Sequence, residues 1–114
     1  MKRLRRRAQF RQVYEQGLKS SGAHVVVFGL VHTEGCRRLG VTATRRIGGA
    51  VVRNRARRRI RELFRVHGAA WNGISVDVVV NAKGGCAEAP WGDLEADYLR
   101  CVAQLKRRLG RLEL

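Results

Sequence analysis

Residues 50–66 read AVVRNRARRRIRELFRV, and the rest of the chain can be understood from this stretch outward. At about 100° per residue, its apolar positions fall on one side of a helix: Val52, Ala56, Ile60, Leu63 and Phe64. The opposite side carries polar and basic residues: Asn54, Arg57, Arg58, Arg61 and Arg65. The pattern therefore predicts a helix with one face in a hydrophobic core and the other face charged.

The positive charge of this helix continues through the whole chain. Lysine and arginine number 24 against 9 acidic residues, a formal net charge of +15 in 114 residues. Such a surplus indicates a polyanionic partner, most commonly a phosphate backbone. Arg53, Arg57 and Arg61 recur at i, i+4 spacing, where like charges repel in an isolated helix. We therefore predict RNA binding, with an anionic membrane surface as the weaker alternative.

Apolar spacing predicts two further helices. Phe10, Val13 and Tyr14 lie at i, i+3 and i+4, which predicts a helix over residues 8–16 that ends at Gly17. The last helix is predicted from a longer apolar stripe: Leu94, Tyr98, Cys101, Val102, Leu105, Leu109 and Leu112. Its acidic first turn and basic end suit the helix dipole.

Runs of β-branched residues predict the strands. Residues 24–31 and 39–44 are interpreted as a hairpin, and the nearly continuous apolar run of 74–80 predicts a central strand buried on both faces. This order of elements is typical of an α+β domain whose sheet is covered by helices on one side and open on the other. We expect a single domain over residues 1–114, with residues 1–7 as a flexible basic tail.

No residue pattern indicates catalysis, metal binding or membrane insertion. The carboxylates between residues 77 and 97 have no spacing typical of a two-metal site, and no nucleophile–base arrangement stands out. No stretch approaches the apolar length of a membrane span, and no secretory segment follows the basic start. The cysteines have no metal-ligand spacing and are predicted to be reduced thiols: Cys36, Cys86 and Cys101.

Around its central helix the chain resembles the protein subunit of bacterial ribonuclease P. The family has a basic pair, a glycine, then Ala-x-x-Arg-Asn-Arg followed by an Arg/Lys pair and a further basic residue. The matching residues here are Arg45, Arg46, Gly48, Ala50, Arg53, Asn54, Arg55, Arg57, Arg58 and Arg61. Similarity at residues 10–17, 39–42 and 77–80 extends it over most of the chain. The departures are Gly49 for a frequent Asn, Ala56 for a larger aliphatic residue and Ala82 for a basic one.

The resemblance implies both a fold and two binding surfaces. The fold would be a small α-β sandwich of αβββαβα order with a left-handed β-α-β crossover, like the second domain of ribosomal protein S5. The catalytic RNA would be bound by Arg45, Arg46, Arg53, Asn54, Arg55, Arg57, Arg58, Arg61 and Arg65. The 5′ leader of precursor tRNA would be bound by the aromatic residues Phe10, Tyr14 and Phe28.

The resemblance also implies a reaction and a setting. One protein and one RNA subunit would form a cytoplasmic endoribonuclease that removes the leader to make the mature tRNA 5′ end. The RNA would hold the catalytic Mg²⁺ ions, and the protein would contribute binding alone. Two other functions are compatible with the same basic surface: a ribosomal or RNA-assembly protein without a role in cleavage, and a helix-based DNA-binding module. The DNA-binding alternative is the weakest, since no helix-turn-helix pairing precedes the arginine-rich helix.

Overall fold

The computed structural model describes residues 2–112, with side-chain surroundings through Gly110. Its helices are α1 (Arg7–Gln16), α2 (Ala50–Val66) and α3 (Trp91–Leu112). Its strands are β1 (Lys2–Arg3), β2 (Leu18–Ser21), β3 (Val25–Val31), β4 (Arg37–Thr42) and β5 (Val76–Ala82). Short 3₁₀ turns at Arg45–Ile47 and Gly68–Trp71 flank α2. The predicted αβββαβα order is confirmed from α1 onward, the strand β1 precedes it, and α2 has the predicted bounds. The predicted contribution of Leu112 to the α3 stripe lies outside the described side chains.

The five strands form one sheet in the order β1-β4-β5-β3-β2. β5 is central, as predicted, and pairs parallel with β4 and antiparallel with β3. The predicted hairpin between residues 24–31 and 39–44 is therefore wrong, because β5 lies between them. β5 is buried on both faces and also hydrogen-bonded along both edges, so it takes the place beside each strand that the hairpin partner would have had.

α2 connects the parallel strands β4 and β5 in a crossover of unusual hand. Leu39 packs toward α2, and its carbonyl accepts the Leu4 N–H at 2.9 Å on the β1 side. Val76 packs into the same core and donates its N–H to the Cys36 carbonyl beside β4 at 3.1 Å. In a strand of L-residues, the direction of the side chain determines the side on which the same residue's N–H and C=O groups lie. When the sheet is viewed from α2 with β4 and β5 pointing upward, the two hydrogen bonds therefore place β5 to the left of β4. The crossover is left-handed, as the resemblance implies, whereas most such units are right-handed.

Helices lie on both faces of the sheet. α2 and α3 cover one face with a core that includes Ile60, Leu63 and Leu105. α1 covers part of the other, where Val13 is buried against Val79. The expectation of helices on one side only is therefore corrected, because α1 has an apolar side of its own to bury. The sheet face opposite α2 and α3 is called the open face below.

The N-terminal residues belong to the sheet. We expected residues 1–7 to be a flexible tail, but Lys2 and Arg3 pair parallel with β4. Leu4, the one apolar side chain within the basic run, is buried in the small core beneath α1. Its burial holds the N-terminal segment against the sheet. Gln9 extends the order, since its side-chain oxygen accepts the backbone N–H groups of Arg5 and Arg6 at 3.0 Å.

β2 is a short edge strand that the apolar patterns did not predict. It follows Gly17, whose extended backbone ends α1 close to β3. A Cβ at Gly17 would lie 2.6 Å from the Val13 carbonyl oxygen and 2.8 Å from that of Gly29. Glycine is therefore required for the close approach rather than for a left-handed turn. In β2, Ser20 is buried and its hydroxyl donates to the Gln104 side chain on α3.

Asp97 anchors the turn between β2 and β3 to α3. Its carboxylate is buried and accepts the backbone N–H groups of Ala23 at 2.9 Å and His24 at 2.8 Å. Burial raises the pKa of Asp97, but these donors and the nearby Arg100 guanidinium outweigh burial and lower the pKa below its ordinary value of 3.8. Ionised Asp97 therefore stabilises the folded chain, and this contribution is lost as pH falls through the lowered pKa.

Replacing Asp97 with Asn should lower the free energy of unfolding near neutral pH by about 2 kcal/mol, because hydrogen bonds to a charged acceptor are weakened or lost. The difference from the wild type should shrink in acid, where the wild-type carboxylate is protonated as well. Urea denaturation at neutral and acidic pH measures both effects. Asp93→Asn, in the exposed first turn of α3, serves as the matched control. A difference that persists unchanged in acid would contradict this role for the Asp97 charge.

Candidate nucleic-acid interface

α2 separates its apolar and basic residues as the sequence predicted. Ala56, Ile60, Leu63 and Phe64 are buried in the core, and Val52 packs at its edge. The polar and basic side, with Arg53 and Arg55 at its two margins, is called the arginine face and consists of Arg53, Asn54, Arg55, Arg57, Arg58, Arg61 and Arg65. Asn54, Arg55, Arg58 and Arg65 are exposed, whereas Arg53, Arg57 and Arg61 are half-buried at its margin.

The arginine face has little internal charge compensation. Within residues 2–112, its one ion pair joins Arg65 to Glu62, whose pKa is lowered by the hydrogen bond from Arg65. Arg59 lies on another side of α2 and donates to the backbone carbonyls of Cys86 at 2.7 Å and Ala89 at 2.5 Å. Arg59 therefore fastens the segment before α3, while most of the arginine face remains available to an external anion.

Arg61 lies near two other guanidinium groups, those of Arg3 and Arg57. Burial lowers its pKa first, and the charges of Arg3 and Arg57 lower it further. A small cavity of about 80 Å³ lies beside it, and its lining also includes Arg3 and Phe10. Three converging guanidinium groups raise the local electrostatic potential, which favours a phosphate group at this margin of α2.

The basic pair Arg45 and Arg46 is held beside the start of α2. Both side chains are exposed on the 3₁₀ turn that precedes the helix. The turn into α2 requires glycine at position 48, since φ is 145° there and a Cβ would lie 2.9 Å from the Cβ of Val52. Gly49 is the N-cap residue and supplies no side-chain cap, so basic side chains and helix N–H groups occupy the same end of α2.

The open face carries an aromatic pair. The rings of Tyr14 and Phe28 meet edge to face, with centroids 4.9 Å apart and planes at 77°. Lys19 lies 6.0 Å from the Phe28 ring centroid. The Tyr14 hydroxyl donates to the Asn81 side-chain oxygen at 2.9 Å and lies 3.3 Å from the Thr42 hydroxyl. These five residues are called the aromatic platform.

Phe10, the third aromatic residue predicted to bind the leader, lies apart from the Tyr14–Phe28 pair. It is half-buried and packs against the small core beneath α1. Its ring lies directly over Gly40, where an added Cβ would be 2.6 Å from the Phe10 Cε1 atom. The structure therefore groups Tyr14 with Phe28, and it leaves Phe10 between the platform and the cavity beside Arg61.

Three platform residues were absent from the predicted site: Lys19, Thr42 and Asn81. Period-2 alternation could have placed Thr42 and Asn81 on the same face as Phe28, but only with the correct strand order. In the observed register Asn81 pairs with Val26 on one side and Thr42 on the other. The mistaken hairpin between residues 24–31 and 39–44 concealed this juxtaposition.

The arginine face and the aromatic platform adjoin at the end of β4. Arg57 donates to the backbone carbonyl of Ala43 at 3.3 Å and to the side-chain oxygen of Asn54 at 3.1 Å. Ala43 directly follows Thr42, which belongs to the platform. The two surfaces therefore lie next to each other at this end of β4.

The departure at position 82 has a structural explanation. Ala82 packs against the core beneath α2 and α3 and therefore faces away from the platform. Lys83 donates to the Gly22 carbonyl at 2.7 Å and the Ser21 hydroxyl at 3.2 Å, so it retains one basic group near the open face. The platform therefore includes Asn81 but not position 82, and Lys83 provides a basic group nearby.

The cysteines and the other side chains that commonly bind metal ions do not belong to the two surfaces described above. Within residues 2–112, no three His, Cys, Asp or Glu side chains are grouped as metal ligands. None of the described helices combines the length and hydrophobicity needed to cross a membrane. The cysteines are free, in agreement with the prediction of reduced thiols. Burial raises the pKa of Cys86 to about 11, which keeps this thiol protonated and unreactive.

Comparison with known proteins gives a consistent result. The family model described as Ribonuclease P matches residues 1–106. The ribonuclease P protein component of Desulfovibrio desulfuricans is 38% identical over 112 residues, which cover 96% of this chain and 82% of the relative. That of Kocuria rhizophila is 34% identical and is matched over 93% of each chain.

Solved structures agree with the sequence relatives. The RNase P protein of Staphylococcus aureus superposes with a TM-score of 0.80 at 25% identity, covering 92% of this chain and 97% of that one. The RNase P protein of Thermotoga maritima gives a TM-score of 0.78 at 25% identity, with 94% and 97% covered. Similarity in sequence and fold thus extends over nearly the whole length, and the chain belongs to the bacterial ribonuclease P protein family.

Proposed function

We propose that this chain is the protein subunit of a ribonuclease P holoenzyme and binds two RNAs at once. The arginine face, with Arg45 and Arg46, binds the catalytic RNA, and the aromatic platform with Phe10 binds the 5′ leader of precursor tRNA. The observation that supports this assignment best is the proximity of the two surfaces at the end of β4, where Arg57 donates to the Ala43 carbonyl next to Thr42. Family membership supports the choice of partners.

The two surfaces suit the chemistry of their RNAs. Guanidinium groups bind phosphate through two parallel hydrogen bonds and tolerate any base sequence. Aromatic rings stack on the face that every nucleobase shares, so leaders of different sequence can use one platform. Positive charge between the catalytic RNA and the precursor reduces their mutual repulsion. Contacts with the leader favour the precursor over the mature product, which has lost it.

In this proposal the RNA subunit performs the hydrolysis. Mg²⁺ ions held mainly by that RNA supply the metal-assisted phosphodiester cleavage, and the protein side chains bind and orient. The dispersed carboxylates support this division of roles: Asp77 is engaged by Arg38 and Asp97 by backbone N–H groups of the β2–β3 turn. The holoenzyme would be one protein and one RNA subunit in the cytoplasm.

A ribosomal or RNA-assembly protein is the remaining alternative. Such a protein would also need a basic surface, but it would have no reason to distinguish precursor from mature tRNA. The aromatic platform beside the arginine face favours the ribonuclease P assignment, since unpaired bases stack on aromatic side chains whereas duplex RNA is bound mainly through phosphates and riboses.

Adding the purified chain to a bacterial ribonuclease P RNA at low Mg²⁺ should restore cleavage of precursor tRNA at the mature 5′ end. The basic side chains of the protein replace part of the charge screening that a higher Mg²⁺ concentration supplies to the RNA alone. Product length on a denaturing gel measures the effect. A reaction with an unrelated basic protein of similar charge is the control, and absence of cleavage with this chain would exclude the proposed function.

Replacing Arg57 and Arg61 together with Ala should weaken binding to the catalytic RNA and make its salt dependence less steep. The slope of log affinity against log salt should fall by about one unit for each lost phosphate contact. Lys106→Ala with Arg107→Ala removes the same charge from α3 and is the matched control. An unchanged slope in the Arg57 and Arg61 variant would remove this margin of α2 from the interface.

Replacing Tyr14 with Ala should reduce the preference of the holoenzyme for leader-bearing over leaderless tRNA by roughly tenfold, as expected for one stacked base. Phe28→Ala should act in the same direction. Equilibrium binding of both tRNAs measures the preference. Trp91→Ala is a suitable control, because Trp91 is as exposed as Tyr14, at 37% and 38%, but lies at the start of α3. Equal losses for the two tRNAs would indicate damage to the fold.

A further inference from the structure

Asn81 occupies a position that strand formation alone does not explain. It lies in β5 between Val26 and Thr42, in the interior of the sheet, where asparagine is a poor strand former. Its side chain is nevertheless half-buried on the open face, and its Oδ1 atom accepts a hydrogen bond from the Tyr14 hydroxyl, with 2.9 Å between the two oxygens. The residue therefore has a polar role beside the exposed aromatic ring.

We propose that Asn81 fixes the orientation of Tyr14 and directly recognises the leader nucleotide that stacks there, an inference that rests on the proposed function. The Tyr14 ring is exposed along one side of α1 and makes its polar contacts at the far end of the side chain. A hydrogen bond at that end holds the ring against the sheet, at the observed angle to Phe28. Asn81 is thus a positioning residue for the ring.

The direction of the hydrogen bonds defines what Asn81 presents to RNA. Because the Tyr14 hydroxyl donates to the Asn81 oxygen, the Thr42 hydroxyl is left to donate to the Tyr14 oxygen. The Asn81 amide nitrogen has no hydrogen-bond partner among the described residues, and it is not among their fully buried unpaired atoms. Its two N–H donors are therefore available on the platform.

These free donors suit a particular class of ligand. A single-stranded nucleotide whose base stacks on the Tyr14 and Phe28 pair can place a carbonyl oxygen or an unprotonated ring nitrogen near the Asn81 amide. Stacking supplies affinity for any base, and the amide adds a preference for a base edge that carries an acceptor. Lys19, close to the Phe28 ring, can neutralise the adjoining phosphate.

The positioning role is tested in the reconstituted holoenzyme by Asn81→Ala, Tyr14→Phe and the double variant. Tyr14→Phe should weaken binding of leader-bearing tRNA by about fivefold, the effect of one net hydrogen bond. Asn81→Ala should weaken it further, because this change also removes the two amide N–H donors. Binding of mature tRNA and thermal unfolding should be unchanged in both. The double variant should bind no more weakly than the weaker single one, because both changes break the same contact. Asn72→Ala, at an exposed asparagine that accepts a hydrogen bond from Arg37, is the matched control.

The recognition role is tested separately by Asn81→Asp. Aspartate can still accept a hydrogen bond from the Tyr14 hydroxyl, but it has a negative charge in place of the two N–H donors. This variant should weaken binding of leader-bearing tRNA more than Asn81→Ala does. Wild-type affinity in Asn81→Asp would overturn recognition by the amide.

The remaining outcomes separate this inference from the function on which it rests. The positioning role would be overturned if the losses of affinity in the two single variants multiplied in the double variant. It would also be overturned if mature tRNA lost as much affinity as leader-bearing tRNA. A wild-type holoenzyme that prefers leader-bearing tRNA while Asn81→Ala behaves identically would overturn the inference alone. A wild-type holoenzyme without that preference would overturn leader binding, and the role of Asn81 with it.

Discussion

Repulsion among guanidinium groups along α2 is the constraint on which the rest of the structure depends. Arg53, Arg57 and Arg61 follow one another at single-turn spacing, and within residues 2–112 none of them is paired with a carboxylate. An isolated helix of this kind would be destabilised by its own charge. Its stability must come from the apolar residues of α2, of which Ile60 and Leu63 are fully buried against the sheet. The hydrophobic core thus holds the arginine face in a fixed shape.

The sheet turns this single helix into part of a larger surface. β5 lies at its centre and pairs with both β3 and β4, so side chains from separate parts of the sequence lie in adjacent rows on the open face. Asn81 and Phe28 reach the platform in this way, and α1 adds Tyr14 from above. Arg57 then connects the end of β4 to the arginine face through Ala43. The site is therefore a property of strand order more than of any one motif.

Local patterns were sufficient for most of the fold. The period of apolar residues predicted α1, α2 and α3, and the continuous valines of β5 indicated a central strand. Strand pairing was less accessible, because residues 24–31 and 39–44 are equally good partners for a hairpin and for a third strand between them. The hand of the crossover came from the family resemblance alone. β1 and β2 were missed because strands of two and four mostly polar residues have too few apolar positions to show a period.

The site could be predicted only where its residues are adjacent in sequence. The arginine motif satisfies this condition, and its residues do share one side of α2. Tyr14 and Phe28 were identified through the family, and their mutual contact confirms that they lie together. Thr42 and Asn81 come from strands that are far apart along the chain, so no spacing rule could have brought them to the Tyr14 hydroxyl.

The edge of the sheet at β1 has a consequence for the chain when it is alone. An unpaired strand edge is a template on which another chain can add, and this is a common route to aggregation. Here the edge is only two residues long, and both residues are cations, Lys2 and Arg3. A second copy approaching in the same way would bring like charges into contact along the new ladder. The basic N-terminal strand therefore completes the sheet and also discourages its growth into fibres.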